Sequence, residues 1–246
     1  MTDAPFFAPL IVEARKLNRS LAAVLAVAAP SLIAIFVFFN MLRGKEAAPW
    51  DMWMVNASAI WAFFMLPMSV TALTALTAHM EHGPKTWDHL FALPVARWRI
   101  LTAKVVAVVT VVAAMSVMLF GLAWLAGQTG GWLRPEVAAR GAFPAADFAS
   151  KLALILAAGL LLIAVQLWTA LRFRSFVPGL VLGIGGTFFA VVATGAKEGV
   201  FLPWQMPINM MGTDPARVQM ALALGSIGGV VAMLAMIVHL SHRDVL

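Results

Sequence analysis

A chain of 246 residues that is 62% hydrophobic, only 11% charged and has a mean hydropathy of +0.92 does not have the composition of a soluble domain, which is about half apolar and a quarter charged. The apolar excess falls in blocks of roughly 20 residues, the length of a bilayer-spanning helix. Six such blocks occupy about half of the chain and leave loops too short to fold as a separate catalytic domain. Cysteine is absent, which excludes disulfides, iron–sulfur clusters and thiolate zinc sites.

In chain order, the stretch from Pro5 to Ser20 comes first. Phe6, Phe7, Leu10, Ala14 and Leu17 recur at helical spacing opposite Arg15, Asn18 and Arg19, the pattern of an amphipathic interfacial helix. Charge-free runs then predict spans near Leu21–Leu42, Trp53–Ala78, Val105–Ala126, Leu152–Leu171, Phe176–Thr194 and Val218–Leu240. The first is about twice as long as the apolar region of a signal peptide, so it is read as a helix that is kept. Pro30, Pro67 and Pro178 fall in or at the start of spans, where kinks or helix starts are expected. Gly179 with Gly183, and Gly225 with Gly229, repeat at four-residue spacing; this predicts close helix approach, within the chain or between two copies.

With the N-terminus inside, the inner segments hold Arg15, Lys16, Arg19, Lys85, Arg97, Arg99, Lys104, Arg172, Arg174 and Arg243; the other seven of the 17 basic residues lie outside. That bias supports an N-in, C-in topology, and it explains the formal charge of +6 as orientation rather than nucleic-acid binding. Trp50, Trp53, Trp124 and Trp132 at outer helix ends, and Trp87, Trp98 and Trp168 at inner ones, form the expected aromatic belts. No predicted span interior contains Asp, Glu, Lys or Arg, which weighs against a proton- or sodium-coupled transporter. Asn56, Thr71, Thr74, Thr77, Gln166 and Ser226 are the milder polar groups left to hydrogen-bond between helices or to line a path. No phosphate-binding loop and no hydrolase signature is present.

The inner loop from Glu81 to Lys104 is the most informative segment. Thr86 is suited to N-cap a short helix, Asp88 suits its first turn, and Pro94 ends it after about two turns. Trp87, Leu90 and Phe91 share one face, with Lys85, Asp88 and His89 on the other. Such a rod, roughly 12 Å long, fits either a cleft on a soluble partner or a position flat on the lipid.

This layout resembles the ABC transporter permeases of the type-2 exporter superfamily. The resemblance rests on the six spans, the amphipathic N-terminal helix, and the run Glu81, then Thr86-Trp87-Asp88-His89-Leu90 and Leu93-Pro94-Val95-Ala96-Arg97, ending at Lys104. It is nearest in flavour to lantibiotic-immunity and bacitracin-type permeases. It implies an all-α, single permease domain over residues 1–246, in the inner membrane, with a cytoplasmic coupling helix. Glu81, Thr86, Trp87, Asp88, His89, Leu90, Phe91 and Leu93 would then meet an ATPase subunit, present in two copies. Phe7, Leu10, Arg15 and Arg19 would belong to the interfacial helix. A second permease, identical or related, and membrane lipid are the other implied partners, with no nucleic acid. No cofactor is expected on this chain, since ATP and magnesium would bind the partner. The family's re-entrant outer segment corresponds to Lys197–Asp214, with Pro203, Trp204 and Pro207. Asp88, where the family more often has a basic residue, and the long outer loop Gly127–Ser150 depart from the pattern.

A reading from another class rests on the histidines. His79, His82, His89, His239 and His242 all fall on the predicted inner side, with Glu81 and Asp88 near enough in sequence to add oxygen ligands, as a metal-dependent membrane enzyme would need. Against it, helix ends near headgroups attract histidine for ordinary reasons. A scaffold or signalling subunit that binds a partner and moves nothing is the third alternative.

Overall fold

Ser20 separates the first two helices, its hydroxyl accepting from the N–H of Ala22 at 3.1 Å to cap the second. In the computed structural model, which describes residues 8–82 and 95–242, α1 spans Ala8–Asn18 and α2 Leu21–Arg43. Pro30 lies within α2, which is continuous across it. After a short turn come α3 (Trp50–Ile60), a π-helical turn (Trp61–Met65) and α4 (Leu66–His82), which together form one long rod. Pro67 accounts for the wide turn: it has no N–H to give to the preceding turn and its ring crowds that turn's carbonyl, so the helix widens just before it.

The next helix, α5, runs unbroken from Arg97 to Leu133. At 37 residues it is about 55 Å long, well beyond the roughly 30 Å hydrocarbon layer. The expected boundaries Val105 and Ala126 therefore mark where the helix becomes uniformly apolar and not where it begins and ends. Of the expected outer loop Gly127–Ser150, residues 127–133 belong to this helix and 145–150 to the next. Gly127 and Gly130 are packing positions rather than loop residues: a Cβ on Gly127 would lie 2.2 Å from the Trp50 ring, and one on Gly130 2.9 Å from the Met41 sulfur. Only residues 134–144 form the connection. It is tied back to the rim by Arg134, whose guanidinium donates to the Leu42 carbonyl, and by Arg140, whose N–H donates to the Ala48 carbonyl at 2.9 Å. Gly141, at φ +83°, makes its turn.

α6 (Ala145–Ala158) and α7 (Leu160–Arg172) meet at Gly159 with a bend of 41°. α8 (Val177–Val192) has Pro178 in its first turn, where a missing N–H costs nothing. Two 3-10 turns (Ala193–Gly195 and Lys197–Phe201) lead to the four-residue α9 (Met206–Asn209). The last rod joins α10 (Pro215–Ala223), a second π-helical turn (Leu224–Gly228) and α11 (Gly229–Ser241). Five of these helices are long and apolar enough to cross a membrane, and the bent α6–α7 pair makes up to six. Among the described residues there is no β-strand, only a single bridge between Pro49 and Arg140.

The core lies between α4, α5 and α7, where Leu66, Leu73, Val108, Val112, Leu119, Leu162 and Ile163 are fully buried. Outward-facing positions are just as apolar: Leu21, Val117, Val181, Val192 and Val238 are all exposed. A rod that is hydrophobic all round is matched to lipid, whose tails are no more polar than the core.

Candidate functional site

The face that α1 turns inward is only in part the apolar stripe expected from spacing: Leu10 and Leu17 pack on the core, but Glu13 joins them and Ala14 does not. Glu13 and Leu17 are buried, Leu10 and Lys16 are half-buried, and Ala14, Arg15 and Arg19 are exposed together with Ile11 and Val12. Glu13 points inward because a cation meets it. Lys104, in the second turn of α5 and 0% exposed, donates to both Glu13 carboxylate oxygens at 3.0 Å and to Oε1 of Glu81 at 2.7 Å. Lys16 donates to the same Glu81 oxygen at 2.7 Å and to Glu13 at 3.2 Å. Among the described residues, two carboxylates and two ammoniums thus form a charge-balanced, largely buried cluster joining α1, the end of α4 and the start of α5.

Charge balance is what makes this burial tolerable. An unpaired ion in such surroundings costs several kcal/mol, and here each charge faces opposite charges within hydrogen-bond distance. Burial by itself lowers the pKa of Lys16, but its hydrogen bond to Glu81 and the charges of Glu13 and Glu81 outweigh that and hold the ammonium above its ordinary value of 10.5. The arrangement contains no nucleophile paired with a base. Its chemistry is that of a clasp.

The expected span interiors, Trp53–Ala78 and Val105–Ala126, carry no ionisable group; Glu81 and Lys104 stand just beyond them on the same continuous helices, enclosed in protein. The sequence held two signals. Glu13 and Lys16 are three apart on one helix, and Glu81 and Lys104 are opposite charges at the two ends of one connection between successive helices.

Of the proposed docking residues, Glu81 sits in the cluster, 1% exposed, rather than on an open surface. Thr86, Trp87, Asp88, His89, Leu90, Phe91 and Leu93 lie outside the described residues, as does Phe7. The described ends of that segment are nonetheless fixed relative to each other, because Glu81 and Lys104 are bonded.

The four spaced glycines all meet neighbours in the same chain. A Cβ on Gly179 would contact Ala170 at 3.7 Å, and one on Gly183 would lie 2.2 Å from the Thr71 hydroxyl and 2.5 Å from the Gln166 amide. A Cβ on Gly225 would lie 2.2 Å from the Ala158 backbone, and one on Gly229 2.6 Å from that of Leu160–Leu161. The buried Gln166 amide is hydrogen-bonded to the Thr71 hydroxyl at 3.3 Å, and that hydroxyl lies 2.8 Å from the Pro67 carbonyl. Thr71 and Gln166 are therefore spent on each other, while Thr74 and Thr77 donate to the Val70 and Leu73 carbonyls of their own helix.

Among the histidines, His239 accepts through Nδ1 from the Trp168 indole N–H at 3.0 Å, and His79 and His82 line one small crevice with Arg174 and Phe176. Among the described residues no three His, Asp or Glu side chains gather as a metal site needs, and His89 lies outside them. The segment Lys197–Asp214 is folded onto the helices: Trp204 is buried against Gly186, Gln205 donates to the Ala190 carbonyl at 2.7 Å, and Arg217 donates to Asn209 at 2.7 Å.

Residues 10–191, from α1 to the end of α8, match the family model described as ABC-2 family transporter protein. The chain belongs to that family. No curated protein and no solved structure matches it. As an ABC-2 permease it is a multi-pass membrane component of a transporter and not itself a catalyst. The matched region contains all four members of the charged cluster and both ends of the connection it closes.

Proposed function

We propose that this ABC-2 permease is the transmembrane subunit of an ATP-driven exporter, powered by two copies of a separate ATPase subunit that bind ATP and magnesium. In this reading the chain is one permease domain with six spans and both termini in the cytoplasm of a cell with an inner membrane. It works beside a second permease, identical or related. The observation that carries the reading is the bonded set Glu13, Lys16, Glu81 and Lys104, which locks α1 and the two helices flanking residues 83–94 into one body. A push received by a coupling helix at Thr86–Leu93 would then reach α1, α4 and α5 together, because charge-assisted hydrogen bonds are short and directional and hold the groups they join in one geometry.

The basic residues concentrated on the inner segments support the orientation. The cargo is amphipathic, in the range of a peptide antibiotic, a drug or a lipid-like molecule, and an immunity or resistance role of the lantibiotic or bacitracin kind fits it. The long middle stretches of the spans, charge-free between Lys104 and Leu133 on α5 for example, offer nothing to hold a small ion.

The test is purification of the tagged chain from its native membrane in mild detergent, with mass spectrometry of co-purifying proteins. A stoichiometric ATPase is expected. Its release, or a fall in its coupled ATP turnover, is expected when Trp87, Leu90 and Phe91 are changed to Ser; an unchanged complex with unchanged turnover refutes the docking assignment.

A further inference from the structure

Three of the long rods depart from regular α-helix, and they do so beside one another. The rod Trp50–His82 widens into a π turn at Trp61–Met65, the α6–α7 pair breaks at Gly159, and Pro215–Ser241 widens at Leu224–Gly228. A Cβ on Gly159 would touch Leu66, the residue that closes the first π turn by donating its N–H to the Trp61 carbonyl. Gly225, inside the second π turn, and Gly229, just after it, press on the backbone of Ala158 and Leu160, on either side of the break. The irregularities are thus one contiguous layer, and the backbone approach at Gly225–Ala158 is its crossing point.

The two sides of this layer are held differently. On the side of Glu81, polar bonds tie one rod to the next: Thr71 to Gln166 joins α4 to α7, Trp168 to His239 joins α7 to α11, and Glu81 to Lys104 joins α4 to α5. On the other side, among the described residues, no side-chain hydrogen bond joins α3, α6 and α10 directly to one another: they pack on each other and on α5 through apolar contacts, as in the stack of Phe120 (α5) on Phe148 (α6). Their polar bonds run instead to the short α9 and the 134–144 connection, from Lys151 to the Met210 carbonyl, Arg217 to Asn209 and the Trp50 N–H to the Arg140 carbonyl. Directional bonds resist sliding; apolar contacts, being non-directional, do not. A π turn and a glycine break are the places where a helix bends at least cost.

We infer that the layer formed by Trp61–Met65, Gly159 and Leu224–Gly228 is a shared hinge, about which the outer arms α3, α6 and α10 flex while the inner arms move as one piece. The inference rests on the topology proposed above for the words outer and inner, but its physical content needs neither ATP nor cargo.

The absence of cysteine makes the test direct. Spin labels on Cys introduced at exposed positions, Met220→Cys on the outer arm α10 with Trp132→Cys at the outer end of the unbroken α5, and Val238→Cys on the inner arm α11 with Val106→Cys at the inner end of α5, report distance distributions by double electron–electron resonance. The full chain is used with its co-purified partners in lipid nanodiscs, without nucleotide. The outer distribution is expected to be about twice as wide as the inner. Pro67→Ala, which returns an N–H to the first π turn, and Gly159→Ala are expected to narrow the outer distribution and leave the inner unchanged. Equal widths in the parent chain overturn the hinge. So does an outer width that neither variant changes while inner distances show that the fold is intact. If Gly159→Ala fails to fold, Pro67→Ala alone decides. A missing ATPase in the preparation would sink the exporter reading and leave this measurement standing.

Discussion

Lys104 on α5 and Glu81 at the end of α4 are bonded at 2.7 Å, both essentially without solvent exposure, at the two ends of a single connection. The same Glu81 oxygen also accepts from Lys16 of α1. One carboxylate therefore sets the positions of three helices.

Lys104→Met is expected to destabilise the permease by about 3–5 kcal/mol, since it takes the fully buried cation away from both Glu13 and Glu81. The double variant Glu81→Met with Lys104→Met leaves Glu13 and Lys16 as a balanced pair and should lose much less than the sum of the two singles. Thermal unfolding in detergent reads both, and additive losses would argue against a coupled cluster.

Lys16 gives a pH dependence with a defined sign. Its pKa in the fold is raised, so its contribution is fully present below the ordinary value of 10.5 and is lost as pH rises through the higher folded value. The gap in thermal midpoint between the parent chain and Lys16→Met should be constant up to about pH 10 and close above it. A gap that widens in alkali would contradict the pairing.

Gly183 and Gly185 lie on the same helix in opposite circumstances: a Cβ on the first meets Thr71 and Gln166 within 2.5 Å, and one on the second meets nothing within 4 Å. Gly183→Ala should cost about 1–3 kcal/mol through overpacking. Gly185→Ala should be neutral or slightly stabilising, because alanine is the better helix former. The pair of thermal midpoints separates close packing from a general need for glycine.

Trp50 fills the space left by Gly127, its ring 2.2 Å from where a Cβ would be. Gly127→Ala should destabilise the parent chain, and less so in a Trp50→Leu background, with a coupling of about 0.5–3 kcal/mol in a double-mutant cycle. Equal losses in both backgrounds would place the clash elsewhere.

Hydropathy alone was enough to read a helical membrane protein with its rods in order, because a bilayer requires every backbone polar group to be bonded within the rod or a closed barrel, and long apolar runs without alternation leave only the helix. The run from Leu21 to Leu42 is nearly the observed α2. Proline at the start of α8 and beside the first π turn was legible for the same local reason, a missing N–H. What local pattern could not convey was which residues meet. The stretch Gly127–Ser150 reads as a loop by its glycines, yet Gly127 and Gly130 make room for Trp50 and Met41 of other helices. Ala14 fits the apolar stripe of α1 and is exposed, while Glu13 breaks the stripe and is buried, because Lys104 lies opposite. Sequence determined the environment of each rod, since transfer into lipid is a property of the residues themselves. The charged clasp, the glycine contacts and the aligned breaks were decided only in the tertiary structure, where the value of a charge or a missing methyl group depends on what another helix places against it.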